Sequence, residues 1–217
     1  MIAPMRTLLS GRPLILLGIV IGNLIPVGGV LFLGWDAVQI LILYWVENLV
    51  IGALTLPRIL AARGETPAAE GQGKDSPGCL GLFFTVHYGI FCIGHGVFAF
   101  ILAHDFIEAE GVGAANAWAR TFGSPDFWWA ALALALVNLV MQVREWWMRG
   151  LWRTASPTLE MFRPYGRIAV LHVTVLAGAW LMAALKAPAY AVLFLCLGKM
   201  LLELIGAAVT GRLAPKT

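Results

Sequence analysis

LYWVENLVIG, residues 43–52, sets a glutamate and an asparagine into an otherwise apolar run. Read outward, that run extends from about 36 to 59, long enough as a helix to cross the ~30 Å of a bilayer's hydrocarbon core. Glu47 then falls near the middle of a membrane helix. An ionised side chain is costly there, and it normally faces the interior of a helix bundle or a water-filled cavity. What surrounds this carboxylate therefore decides both the fold and the search for a site.

The rest of the chain repeats the pattern. Of 217 residues, 60% are hydrophobic and 12% charged, with mean hydropathy +0.82, too little polar surface for a soluble domain of this size. Six apolar stretches predict an all-α polytopic membrane protein of one domain, with spans at 13–34, 36–59, 81–103, 126–148, 166–186 and 188–210. They leave no room for a soluble catalytic domain. The N-terminus has basic residues before an apolar run, as a signal peptide does. Leu14 to Leu33 is long enough to span, however, and no small-residue cleavage site follows, so a retained first helix is expected. Residues 61–78, rich in Gly, Pro, Ala and charge, read as a flexible loop. Residues 104–125 and 149–165 read as further polar loops, the last with Pro157 and Pro164 as helix breakers. Trp128–Trp129 and Trp146–Trp147 bracket the fourth span about 27 Å apart, like two interfacial belts.

Basic residues orient the spans. Arg6, Arg12, Arg58, Arg63, Lys74, Arg144, Arg149, Arg153, Arg163, Arg167, Arg212 and Lys216 fall on one side, against only Arg120 and Lys186 on the other. The positive-inside rule puts both termini in the cytoplasm, in agreement with an even number of spans. Membrane lipids are the implied partners, the net charge of +3 calls for no nucleic acid, and an oligomer or partner subunit is compatible with the pattern. Cys79, Cys92 and Cys196 are odd in number and scattered, which gives neither a disulfide framework nor a CxxC metal signature.

Polar residues at membrane depth are the informative ones. In the second span Tyr44, Glu47, Asn48 and Thr55 share one stripe, and in the fourth Asn138, Gln142 and Glu145 share another. The first span brings Asn23, the third His87 and His95, the fifth His172, and the sixth Lys199 and Glu203 at i, i+4. Counted from the span ends, Glu47, Asn23, Asn138 and Lys199 lie near the midplane, which pairs the acid Glu47 with the base Lys199. His87, His172 and Glu203 form a layer nearer the cytoplasm, with His95 farther out.

Three readings follow. His87, His95 and His172 with Glu47 or Glu203 suit a site for zinc, iron or haem, since neutral imidazole ligates all three and a carboxylate can complete the set. Alternatively, the same residues form only an internal hydrogen-bond and ion-pair network in a structural subunit. The third reading is a small proton- or ion-coupled transporter. Neither HxxxH nor HExxH is present, and a Walker loop, GxGxxG and GxSxG are likewise absent. Arg163 and Arg167, just before the expected fifth span, read as headgroup-facing anchors.

YWVEN in the second span, HYGIFCIGHGVF in the third and PYGRIAVLHVTVLAGAW opening the fifth resemble the signatures YWxEN, HYGxFxxxHG and PYGRxxxLH of a bacterial integral membrane family, domain of unknown function family 6498. The likeness covers nearly all the spans. It implies a polytopic inner-membrane protein, brings no established activity with it, and marks Tyr44, Glu47, Asn48, His87, His95, Arg167 and His172.

Overall fold

The computed structural model describes residues 12–65, 76–109, 111, 113–185, 194 and 196–205. The chain is all-helical among these residues. Helix α1 spans Arg12–Phe32, α2 Ala37–Ala61, α3 Pro77–Ala109, α4 Ala114–Gly123, α5 Pro125–Gln142 and α6 Pro157–Leu185. A last helix, α7, covers 196–205. Among the described residues, three helices are long and apolar enough to cross a membrane: Ala37–Ala61, Pro77–Asp105 and Pro125–Met148, while the apolar stretch Gly18–Phe32 is shorter.

Helix α2 is the hub. It packs on α3, α5 and α6, and 61% of its most apolar window is buried against 28% in α3 and α5. Its start is fixed by Asp36, whose Oδ1 accepts from the Gln39 amide at 3.1 Å while Gln39 Oε1 accepts from the Asp36 amide at 3.2 Å, a reciprocal cap for two orphan donors. Its apolar residues enter two cores. Ile40, Leu43 and Tyr44 pack with Trp35, Phe127, Leu134 and Cys196, and Ile59 packs with Phe84, Tyr88, Met161 and Ile168. On α3, by contrast, Leu82, Val86, Ile90, Ile93, Val97 and Ile101 are exposed, spaced three and four apart along one face. A continuous apolar stripe of that kind fits a bilayer and not water.

The α2–α3 contact depends on two close approaches. Gly52 receives the ring of Tyr88, whose hydroxyl donates to the Asn48 carbonyl at 3.0 Å. Gly96 receives the Trp45 indole, whose Nε1–H donates to the Cys92 carbonyl at 2.9 Å. A methyl group on Gly52 would overlap the Tyr88 ring, which is held from behind by Phe84 and Tyr165. Gly52→Ala should therefore destabilise the fold by about 1–3 kcal/mol in a detergent-unfolding titration, with a proportionate loss of the Tyr88 hydrogen bond. An unchanged midpoint would argue against this register.

Several boundaries differ from the sequence expectation. The 104–125 stretch contains the amphipathic helix α4, tied to the start of α2 by Arg120 and Asp36 at 3.7 Å and seated on Val38, Ala103 and Ile107 through Ala117. The 149–165 stretch is not a loop throughout. After α5, a π-helical turn (Val143–Met148) and a 3-10 turn (Leu151–Arg153) lead directly into α6. Pro157 opens α6 at its first position, where a missing N–H costs nothing, and the Ser156 hydroxyl accepts from the Leu159 amide at 3.4 Å. The helix continues through Pro164. The two tryptophan pairs also differ, for Trp128, Trp129 and Trp147 are exposed, whereas Trp146 is fully buried with the Arg58 guanidinium 4.3 Å over its ring. Of the cysteines, Cys79 is exposed and Cys92 and Cys196 are buried, all three free. Most of the 61–78 loop, both chain ends and much of the 188–210 stretch lie outside the described residues.

Candidate functional site

Four charged side chains from three helices meet inside the bundle. Lys199 on α7 reaches Glu47 Oε2 on α2 at 3.0 Å and Glu203 Oε1, one turn along its own helix, at 3.1 Å. Arg167 on α6 donates through Nη2 to Glu47 Oε1 at 2.8 Å, lies 3.5 Å from Glu203 Oε1, and donates through Nη1 to Asn138 Oδ1 on α5 at 3.1 Å. Asn23 on α1 completes the cluster, donating to Glu203 Oε2 at 2.8 Å and accepting from Lys199 at 3.3 Å. The Lys199 ammonium also sits 4.8 Å over the ring of Tyr44.

Two carboxylates, a guanidinium and an ammonium balance in charge, and all four carboxylate oxygens have partners. That is the condition under which ions can be held away from water at all. Arg167, read from sequence as a headgroup anchor, is instead a member of this interior cluster. Because α6 begins at Pro157, Arg167 lies ten residues, about 15 Å, inside the helix and not at its edge.

The cluster forms one end of a cavity of about 460 Å³. Helices α5 and α6 scarcely touch each other, and the cavity fills the space between them, backed by α2 and bounded by α1 and α7. Gln142 lies on its wall and donates to the Leu54 carbonyl at 2.8 Å, and Thr55 donates to the Ile51 carbonyl at 2.7 Å. At the outer end stand Arg58 and Arg163, both bound to Glu160, with Arg58 Nε 2.7 Å and Arg163 Nη1 3.3 Å from its carboxylate. Sequence reading missed Glu160 and the partnership of Arg58. The available signal was a lone acid among Arg149, Arg153, Arg163 and Arg167.

The residues expected to form a metal or haem site are divided among three places. Glu47 and Glu203 face cations in the cluster and are not open ligands. His87 is exposed on α3, stacked on Phe83 with ring centres 5.3 Å apart and tilted against Tyr165 at 5.8 Å. His95 and His172 do meet, His95 Nε2 lying 3.0 Å from His172 Nδ1 and also against its Nε2. Each Nδ1 is within hydrogen-bond range of a carbonyl on its own helix, Phe91 at 2.8 Å and Ile168 at 3.0 Å. Asn48 lines a small void of about 30 Å³ beside this pair. Among the described residues no three His, Cys, Asp or Glu side chains converge as a metal site. Glu145, also singled out from sequence, has a side chain outside those described.

No curated protein matches the chain, and no solved structure does. A family model matches residues 5–217, nearly the whole length, and by that match the chain belongs to the Family of unknown function (DUF6498).

Proposed function

We propose that this is a six-span protein of the bacterial inner membrane, with both termini on the cytoplasmic side, whose polar interior binds a small molecule. The topology is supported by the charge asymmetry between the two sets of loops and by the apolar length of the helices. On this topology, the Arg58–Glu160–Arg163 end of the cavity faces the cytoplasm.

One observation carries the binding reading. The charged cluster forms a wall of a cavity of about 460 Å³, within the roughly 300–1,000 Å³ typical of ligand sites. Side chains that served only to join helices would be closed off by packing, because protein interiors leave few voids larger than a water. The wall alternates apolar surface (Ile51, Leu54, Val137, Met141) with a few fixed polar groups, the usual make-up of a small-molecule site. Transport would include such binding as its first step.

Cysteine accessibility tests both parts. In a Cys79→Ser background, Val137→Cys and Leu54→Cys should react with a membrane-impermeant thiol reagent applied from the cytoplasmic face. Ile42→Cys, at a fully buried core position, should not. Silence at both cavity positions in folded protein would refute the cavity. Labelling from the opposite face alone would refute the orientation.

A further inference from the structure

Glu47, Glu203 and Arg167 line the deep end of the cavity, with Lys199 bound to both carboxylates, but the four are not equally available to a ligand. The side chains of Glu47, Glu203 and Lys199 are each 5% exposed, and that of Arg167 is 37% exposed. The carboxylates are also engaged, each oxygen with at least one partner. Glu47 Oε1 and Oε2 are taken by Arg167 and Lys199, and Glu203 Oε1 and Oε2 by Lys199 and Asn23. A cationic ligand would have to share those oxygens with Arg167 and Lys199, which already neutralise them. Arg167 is the reverse case. A guanidinium carries five N–H donors in a fixed fork, and its partners among the described residues are Asn138 Oδ1, Glu47 Oε1 and Glu203 Oε1. Its Nε–H and one Nη1–H are not among the donors to those three oxygens, and Arg167 lines the cavity.

The deep end is balanced in charge, and the outer end is positive. Among the described residues there, Arg58 and Arg163 share the carboxylate of Glu160, which leaves one positive charge in excess where a solute would enter. A cleft with low-dielectric walls and a charge of one sign concentrates counter-ions. Between the two ends the wall is apolar, with Ile19, Ile51, Leu54, Val137 and Met141. We infer that the ligand of this cavity is an amphiphilic organic anion, whose carboxylate or phosphate group docks on the inward face of Arg167 and whose apolar body lies between α5 and α6. The inference rests on the cavity reading above and adds the sign and class of what the cavity holds. A lipid headgroup and a soluble acyl or alkyl anion present this same chemistry.

Calorimetry on the full chain in phosphatidylcholine nanodiscs tests it, with octyl phosphate and octylammonium as probes and empty nanodiscs as the blank. Octyl phosphate should bind saturably and octylammonium should not. Arg167→Gln should weaken octyl phosphate binding by about tenfold or more, the loss expected for a charge-assisted fork. Arg153→Gln, outside the cavity wall, should leave it unchanged. If Arg167→Gln does not fold, Val137→Trp, which fills the cavity and leaves every charge in place, should abolish the same binding. Nanodiscs containing phosphatidic acid decide the source. Competition with octyl phosphate would identify a lipid headgroup, and unchanged affinity a soluble anion, both in keeping with the inference.

Binding of octylammonium with octyl phosphate silent would overturn the sign and leave the cavity standing. Full-affinity octyl phosphate binding in Arg167→Gln would overturn the docking site. If neither probe binds while Val137→Cys is labelled, the anion assignment fails alone. If Val137→Cys is silent as well, the cavity reading fails with it.

Discussion

Lys199→Met should cost about 3–5 kcal/mol of stability, because it removes the ammonium that both Glu47 and Glu203 share and leaves two buried carboxylates to one guanidinium. The effect is one of balance and not of lost contacts. Lys199→Met combined with Glu203→Met restores equal charge by pairing Glu47 with Arg167 alone, and fills both vacated positions with apolar side chains. The double variant should therefore be more stable than the Lys199→Met single variant, since replacing buried ions by well-packed apolar groups is often neutral. Unfolding in mixed micelles titrated with sodium dodecyl sulfate gives both values on one scale. Additive losses would mean the two side chains do not share a neutralised site, since only coupled positions depart from additivity.

The second large effect separates two neighbouring tryptophans. Trp146→Ala should cost about 3–5 kcal/mol, because the side chain is fully buried, and its removal opens a void and takes the platform from beneath Arg58. Trp147→Ala, at a position 42% exposed, should change stability by no more than about 0.5 kcal/mol. Trp146 is also the link between the π-helical turn after α5 and the Arg58–Glu160 pair at the outer end of the cavity. Its loss should loosen the cytoplasmic end of the site as well as the fold. Equal effects at the two positions, read from the same titration, would indicate that both rings face lipid headgroups.

How much of this was legible in the sequence depends on which helix ends could be located. Depth counted along two helices pairs Glu47 with Lys199, and that count survives an error of a turn. The place of Arg167 does not, because the apolar pattern starts this span at 166 and the helix opens at Pro157. Nine residues are about 13 Å of helix. That shift carries Arg167 from the membrane boundary into the cluster, and brings His172 level with His95 and away from His87. The missed cue was local: Ser156 followed by Pro157 is a helix start, a hydroxyl cap before a proline at the first position. Read only as a breaker, that proline hid nine residues of helix.

The histidines show a different limit. Their spacing could say that two of them share a face, but not that His95 and His172 come into contact, each with its Nδ1 in hydrogen-bond range of a carbonyl on its own helix, Phe91 and Ile168. Nor could the sequence give the cavity, which exists because α5 and α6 both pack on α2 and scarcely touch each other. Volume between helices is a property of packing, and no residue pattern announces it.

The most direct test of the account is a density map of the protein in a lipid nanodisc by electron cryomicroscopy. Arg167 should lie within hydrogen-bond distance of Glu47, Lys199 should bridge Glu47 and Glu203, and a water- or ligand-filled space between α5 and α6 should reach this cluster. Helix α5 packed directly against α6, or Arg167 turned outward to the headgroups with Glu47 partnered elsewhere, would contradict it.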